Sequence, residues 1–158
     1  MEKEAIIKEV VEKLFKEFDI TSKDILSYIQ KPRNEIPLSI FNKNLGSLET
    51  ITKYLRENQK LNFVKIAELT NRNQKALCRT YHNAIKKQKD EFKITESEFY
   101  FPIYILKNRN LSVLESIVVY LKEKLNLSFI KISSLLKRDP STIWTIYHRA
   151  LKKKQNEK

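Results

Sequence analysis

The sequence predicts an all-α protein built on a doubled unit, and three observations carry that prediction. First, the chain repeats itself: residues 42–88 and 108–154 align without a gap at an offset of 66, and 20 of the 47 positions are identical. Second, one Gly and four Pro in 158 residues are too few for a β-rich fold, which needs turn residues at regular intervals. Third, the apolar residues recur at helical spacing, and the abundant Lys, Glu, Leu and Ile suit helices. Two copies are too few for a solenoid, which needs three or more units, so a tandem pair of small modules is expected.

Taken in order, residues 3–18 read as an amphipathic helix. Ile6, Val10 and Leu14 fall on one face, with Ile7, Val11, Phe15 and Phe18 beside them. A second helix is expected at 22–30, with Thr21 or Ser22 as its cap, ended by Lys31-Pro32 because the residue before a proline is pushed out of helical space. Together these form an N-terminal helical pair over residues 1–34. Each copy then opens on an apolar stretch around a proline, Pro37 or Pro102, expected to be extended and able to pair with the other or clip onto the helices. Helices follow at 47–58 and 112–124, with Ser47 and Ser112 as caps. Leu48, Ile51, Tyr54 and Leu55 form a buried stripe, mirrored by Leu114, Ile117, Tyr120 and Leu121. The first module is bounded at 35–89 and the second at 99–158, with a polar linker at 90–98.

The last third of each copy has helix-turn-helix spacing. In copy two, Phe129–Leu136 is a short helix, Lys137-Arg138-Asp139 the turn, and Pro140 opens a longer helix with Asp139 as its cap. Ser133 is the small residue expected where the helices cross. In copy one the turn is Asn71-Arg72-Asn73, and Asn tolerates the left-handed conformation needed there.

Composition bounds the function. A hydrophobic content of 41% suffices for a globular interior, and no apolar run approaches a membrane span. The single Cys78 excludes an internal disulfide and offers no metal framework. The charged start, Met1-Glu2-Lys3-Glu4, argues against a secretory signal, so a cytoplasmic, nucleoid-associated protein is expected. Net charge is +12, unevenly spread. Residues 1–35 net −1, whereas 63–89 and 128–158 each net +6. Two basic blocks at equivalent places in a repeat are the electrostatic footprint of a phosphate-binding surface.

Leu135-Leu136-Lys137-Arg138-Asp139-Pro140-Ser141-Thr142-Ile143, followed by His148-Arg149-Ala150-Leu151-Lys152-Lys153, resembles the promoter-reading helix-turn-helix of bacterial sigma factors, their region four. The matching features are Ser133 in the first helix, the Ser141-Thr142-Ile143 entry and the Arg149 to Lys153 exit. The tandem arrangement is also similar to small archaeal DNA-binding proteins. The family has glycine where Lys137 and Asn71 stand, and sigma factors are not doubled in this way. The resemblance implies a docking mode, with the second helix of each pair in the major groove of duplex DNA.

In that mode the base-reading positions are Asn73, Gln74, Lys75, Arg79 and His82 in copy one. Copy two offers Ser141, Trp144, Thr145, His148 and Arg149. Lys65, Arg72, Lys86, Lys131, Arg138 and Lys152 are assigned to phosphates, which set affinity and salt dependence. Trp144 either meets thymine methyls or sugar, or covers the helix at 112–124. The expected function is sequence-specific binding of double-stranded DNA as a transcriptional regulator, at an asymmetric site because the two reading heads differ. Two other readings stay open: an RNA-binding module, or a helical adaptor that docks a protein partner or self-associates through helix 3–18. Catalysis is not expected. Adjacent Tyr81-His82 and Tyr147-His148 point about 100° apart on a helix, so neither pair forms a nucleophile and base. No cofactor or metal is called for.

Overall fold

The computed structural model describes residues 2–25 and 34–157, and its contacts separate two compact units, divided between Arg33 and Asn34. The fold is all-α apart from one two-stranded ladder.

In the first unit, α1 spans Glu2–Phe18 and buries none of its residues. Asp19 turns the chain through a left-handed φ of 53°, and the Ile20 N–H returns to the Leu14 carbonyl at 3.4 Å. The next helix begins at Ser22, and its cap is Thr21. The Asp24 N–H donates to Thr21 Oγ1 at 3.3 Å while the Thr21 N–H donates to Asp24 Oδ2 at 2.9 Å. The Thr21 hydroxyl, donating to Asp24 Oδ2 at 2.6 Å, and then the Thr21 backbone N–H hold the Asp24 carboxyl below its ordinary value. Described residues carry this helix to Ile25, and the rest of its expected span lies outside them.

In the second unit, the expected extended segments are strands β1 (Glu35–Pro37) and β2 (Tyr100–Pro102), paired antiparallel with Ile36 opposite Phe101. Both are edge strands, the setting proline tolerates. Each continues into a 3-10 turn, Leu38–Ile40 or Ile103–Lys107. Copy one then supplies α2 (Ser47–Glu57), α3 (Phe63–Thr70) and α4 (Gln74–Lys87). Copy two supplies α5 (Val113–Glu123), α6 (Phe129–Leu136) and α7 (Pro140–Asn156).

One expected cap is corrected. Ser112 caps α5, but α2 is capped at Gly46 rather than Ser47, and Glu49 Oε2 accepts the Gly46 N–H at 2.9 Å. Gly46 has no side chain to accept the Glu49 N–H, so Glu49 makes only its own half of the reciprocal pair that Ser112 and Glu115 complete in copy two.

The two copies do not bury separate interiors. Ile36, Leu38, Ile51, Leu55 and Ile66 lie in one continuous core with Phe101, Ile103, Ile117, Leu121 and Ile132. The packing is crossed: α3 of copy one rests on the 103–107 turn of copy two, and α6 of copy two rests on the 38–40 turn of copy one. The polar stretch at 88–97 also enters this interior. Phe92 is buried, and the fully buried Lys53 lies with its ammonium 5.7 Å from the Phe92 ring centroid.

Candidate nucleic-acid interface

Each copy ends in two packed helices joined by a three-residue turn, α3–α4 and α6–α7. The first helix of each pair stops where a non-glycine residue adopts the left-handed conformation. Asn71 has φ 52° and ψ 46°, and Lys137 has φ 54° and ψ 45°. Both turns therefore adopt the left-handed conformation without a glycine. A single left-handed Lys costs on the order of 1 kcal/mol, and surrounding contacts hold it. Below the turn, Ser133 is buried and its hydroxyl donates to the Arg138 carbonyl.

The second helices start differently. Asn73 Oδ1 accepts the Ala76 N–H at 3.2 Å and caps α4. The Asp139 side chain makes no cap bond, and Pro140 at the first helical position removes one donor that would need one.

Of the phosphate candidates, the two arginines are engaged within the fold. Arg72 Nη1 donates to the carbonyls of Leu106 at 2.8 Å and Thr70 at 2.9 Å. Arg138 donates to the carbonyls of Asn42 and Leu45 at 3.0 Å each. Each guanidinium ties its own turn to backbone of the other copy. Burial, with Arg109 alongside, pulls the Arg72 guanidinium below its ordinary value. These side chains are structural straps, and the sequence could not reveal it because the carbonyls they reach are 34 and 96 residues away. The lysines keep free faces: Lys65 and Lys131 are exposed with one surface ion pair each, to Glu68 and Glu98. Lys86 and Lys152 are exposed and make no ion pair among the described residues.

The base-reading candidates stand on the outer faces of α4 and α7. Asn73, Gln74, Lys75, Arg79 and His82 are exposed, as are Ser141, Trp144, Thr145 and Arg149. His148 is half-buried against the Trp144 ring, with centroids 4.1 Å apart. Trp144 is 52% exposed, so it does not serve as a cover for α5. Asn73 commits one lone pair of its carbonyl oxygen to the cap, which leaves both of its amide N–H groups open to a ligand.

The structure also explains most of the identities in the repeat. Tyr81 and Tyr147 pack on Phe63 and Phe129, with centroids 5.6 and 5.5 Å apart, and donate their hydroxyls to Glu57 and Glu123. Burial pushes both phenols above their ordinary value, and the carboxylates add to it. Glu49 and Glu115 clamp Lys87 and Lys153 near the far ends of α4 and α7, at 2.9 and 2.8 Å. Burial raises each of these carboxyls, but the lysine and the backbone N–H it accepts outweigh that and leave it below its ordinary value.

Lys43 and Lys137 are basic residues that sequence reasoning missed. They line an open cleft of about 520 Å³ at the α6–α7 turn with Ser134 and Thr142, and Lys43 comes from the other copy. The only signal available was that its repeat counterpart, Arg109, is also basic. Among the described residues no cluster of His, Cys, Asp or Glu could hold a metal, and no helix is long and apolar enough to cross a membrane. No family model, no curated protein and no solved structure matches this chain.

Proposed function

We propose that this chain binds double-stranded DNA sequence-specifically, as a transcriptional regulator, with α4 and α7 as its recognition helices. One observation carries the reading. After the caps, clamps, straps and core positions are set aside, the identical residues left on the second helices are His82/His148 and Lys86/Lys152. These lie four residues apart on one outer stripe of each helix, a placement that serves a shared, sequence-independent ligand such as the phosphate backbone. Towards the helix starts the same stripe diverges, Lys75 and Arg79 against Ser141 and Thr145, as two base-reading heads would.

A salt titration of affinity for a duplex pool tests this. Affinity should fall steeply with salt, and the double variant Lys86→Gln/Lys152→Gln should flatten the log–log slope by about two, one per lost phosphate contact. Affinity indifferent to salt would sink the reading.

A second role is favoured by α1, where Ile6, Ile7 and Phe18 are each at least 60% exposed along one helix. Exposed large apolar side chains along one helix favour a protein cover, a partner or a second copy. Sedimentation across concentration, with Ile7→Glu as control, reads self-association without any nucleic acid present. A monomer at every concentration removes the second copy from consideration.

A further inference from the structure

A tandem repeat can be laid out by translation, which would present its two heads to half-sites in the same orientation, or by two-fold rotation, which inverts one half-site. The alignment of the copies is blind to this choice, but the backbone is not. Strands β1 and β2 pair with Glu35 opposite Pro102 and Pro37 opposite Tyr100, so equivalent ends are exchanged about the Ile36–Phe101 pair. The flanking bonds obey the same exchange: Leu38 N–H to the Phe99 carbonyl at 3.1 Å, and Ile103 N–H to the Asn34 carbonyl at 2.9 Å. At an offset of 65 these are one bond made twice. The strap arginines also cross in both directions, though not to equivalent carbonyls: Arg72 reaches Leu106, and Arg138 reaches Asn42 and Leu45. Helix α2 also packs on its counterpart α5.

We infer that the ligand of this surface is one duplex site made of two unlike half-sites in inverted orientation at a single fixed spacing. The inference rests on the duplex reading above. Two-fold symmetry in a protein is mirrored by inverted half-sites in its DNA. The crossed packing and shared core fix the spacing, because neither helix pair can shift without breaking the ladder, a strap and apolar contacts together. An added base pair displaces one half-site by about 3.4 Å and rotates it by roughly 35°. A rigid body cannot follow both changes.

The test is selection of duplexes from a random pool by the full chain, followed by binding to variants of the enriched sequence. Two inverted blocks at one spacing are expected. A one-base-pair insertion between them should weaken binding about tenfold or more, and as much for a deletion. Lys75→Ala/Arg79→Ala should relax preference in one block only, and Ser141→Ala/Thr145→Ala in the other; all four positions are exposed, so the fold is kept. Blocks in the same orientation, or equal affinity at several spacings, would overturn the inference while leaving duplex binding intact. Preference for single strands or RNA over every duplex would overturn the underlying reading and this inference with it.

Discussion

In copy one, the carboxylate that accepts the tyrosine hydroxyl is Glu57, and its cation is Lys53, one turn earlier on the same helix and fully buried. In copy two, the equivalent Glu123 takes its cation from Lys154 near the end of α7 at 3.1 Å, and Val119 fills the place of Lys53. The same charge is balanced from inside in one copy and from the rim in the other. The difference follows the chain's path. Copy one must pass on to copy two, so α4 ends at Lys87 and the segment behind it turns back to lay Phe92 over Lys53. In copy two the equivalent helix, α7, runs three residues longer and carries Lys154. One scaffold thus accepts two charge arrangements when the exit of its last helix changes.

The centre of the comparison is the pair on the pseudo-dyad, Ile36 and Phe101, both fully buried. Phe101→Ala should cost about 3–5 kcal/mol and Ile36→Ala about 2–5. Because both sit in one core, each should lower a single cooperative melting transition of residues 34–157, followed by circular dichroism and calorimetry. Two separated transitions would mean the copies fold independently.

Next in size is Lys53. Lys53→Val leaves Glu57 without its cation in a mostly buried place, and should cost about 2–4 kcal/mol by denaturant unfolding. Gln88 is the repeat equivalent of Lys154. Adding Gln88→Lys to Lys53→Val transplants the solution of copy two and should recover about 1 kcal/mol. No recovery would show that the end of α4 cannot reach Glu57, and that the two arrangements are not interchangeable.

The element pattern was legible because it rests on local signals. Apolar spacing placed both helix pairs, Pro140 and Asp139 marked the start of α7, and the prolines marked the strands. What was illegible depends on long-range partners. Arg72 and Arg138 read as phosphate contacts because a basic residue at a turn looks the same in sequence whether it faces solvent or another copy's carbonyls. Lys53 hid in the same way: a Lys near the centre of an amphipathic helix is ordinarily solvent-facing, yet this one is fully buried with Phe92 against its ammonium. The candidate interface was legible as a face and not as individual duties, since the cap of Asn73 and the strap of Arg138 emerge only when backbone partners are assigned.

A smaller effect separates the two clamps. Glu115 and Glu49 both titrate below the ordinary carboxylate value of 4.5. A carboxyl depressed by folding adds stability that is present above its unfolded value and lost as pH falls through its folded one. Unfolding free energy should therefore decline below about pH 4.5, with most of the loss between pH 4.5 and the acid side of the folded values. Glu115→Gln should flatten that decline more than Glu49→Gln, because the side chain of Glu115 is 2% exposed and that of Glu49 is 16%. Equal flattening would show that burial does not distinguish the clamps.

The finest contrast lies at the starts of α4 and α7. Asn73→Ala removes a side-chain cap and should cost about 1 kcal/mol, whereas Asp139→Ala removes none and should stay within about 0.5 kcal/mol. The pair also separates stability from reading. If Asn73 contacts bases as well, Asn73→Ser keeps a capping oxygen, restores most of the lost stability, and still loses its amide donors. Weakened and less selective duplex binding by a stable Asn73→Ser variant assigns the residue to both jobs. Unchanged binding by that variant confines Asn73 to its helix, and moves the start of base reading in copy one to Gln74 and Lys75.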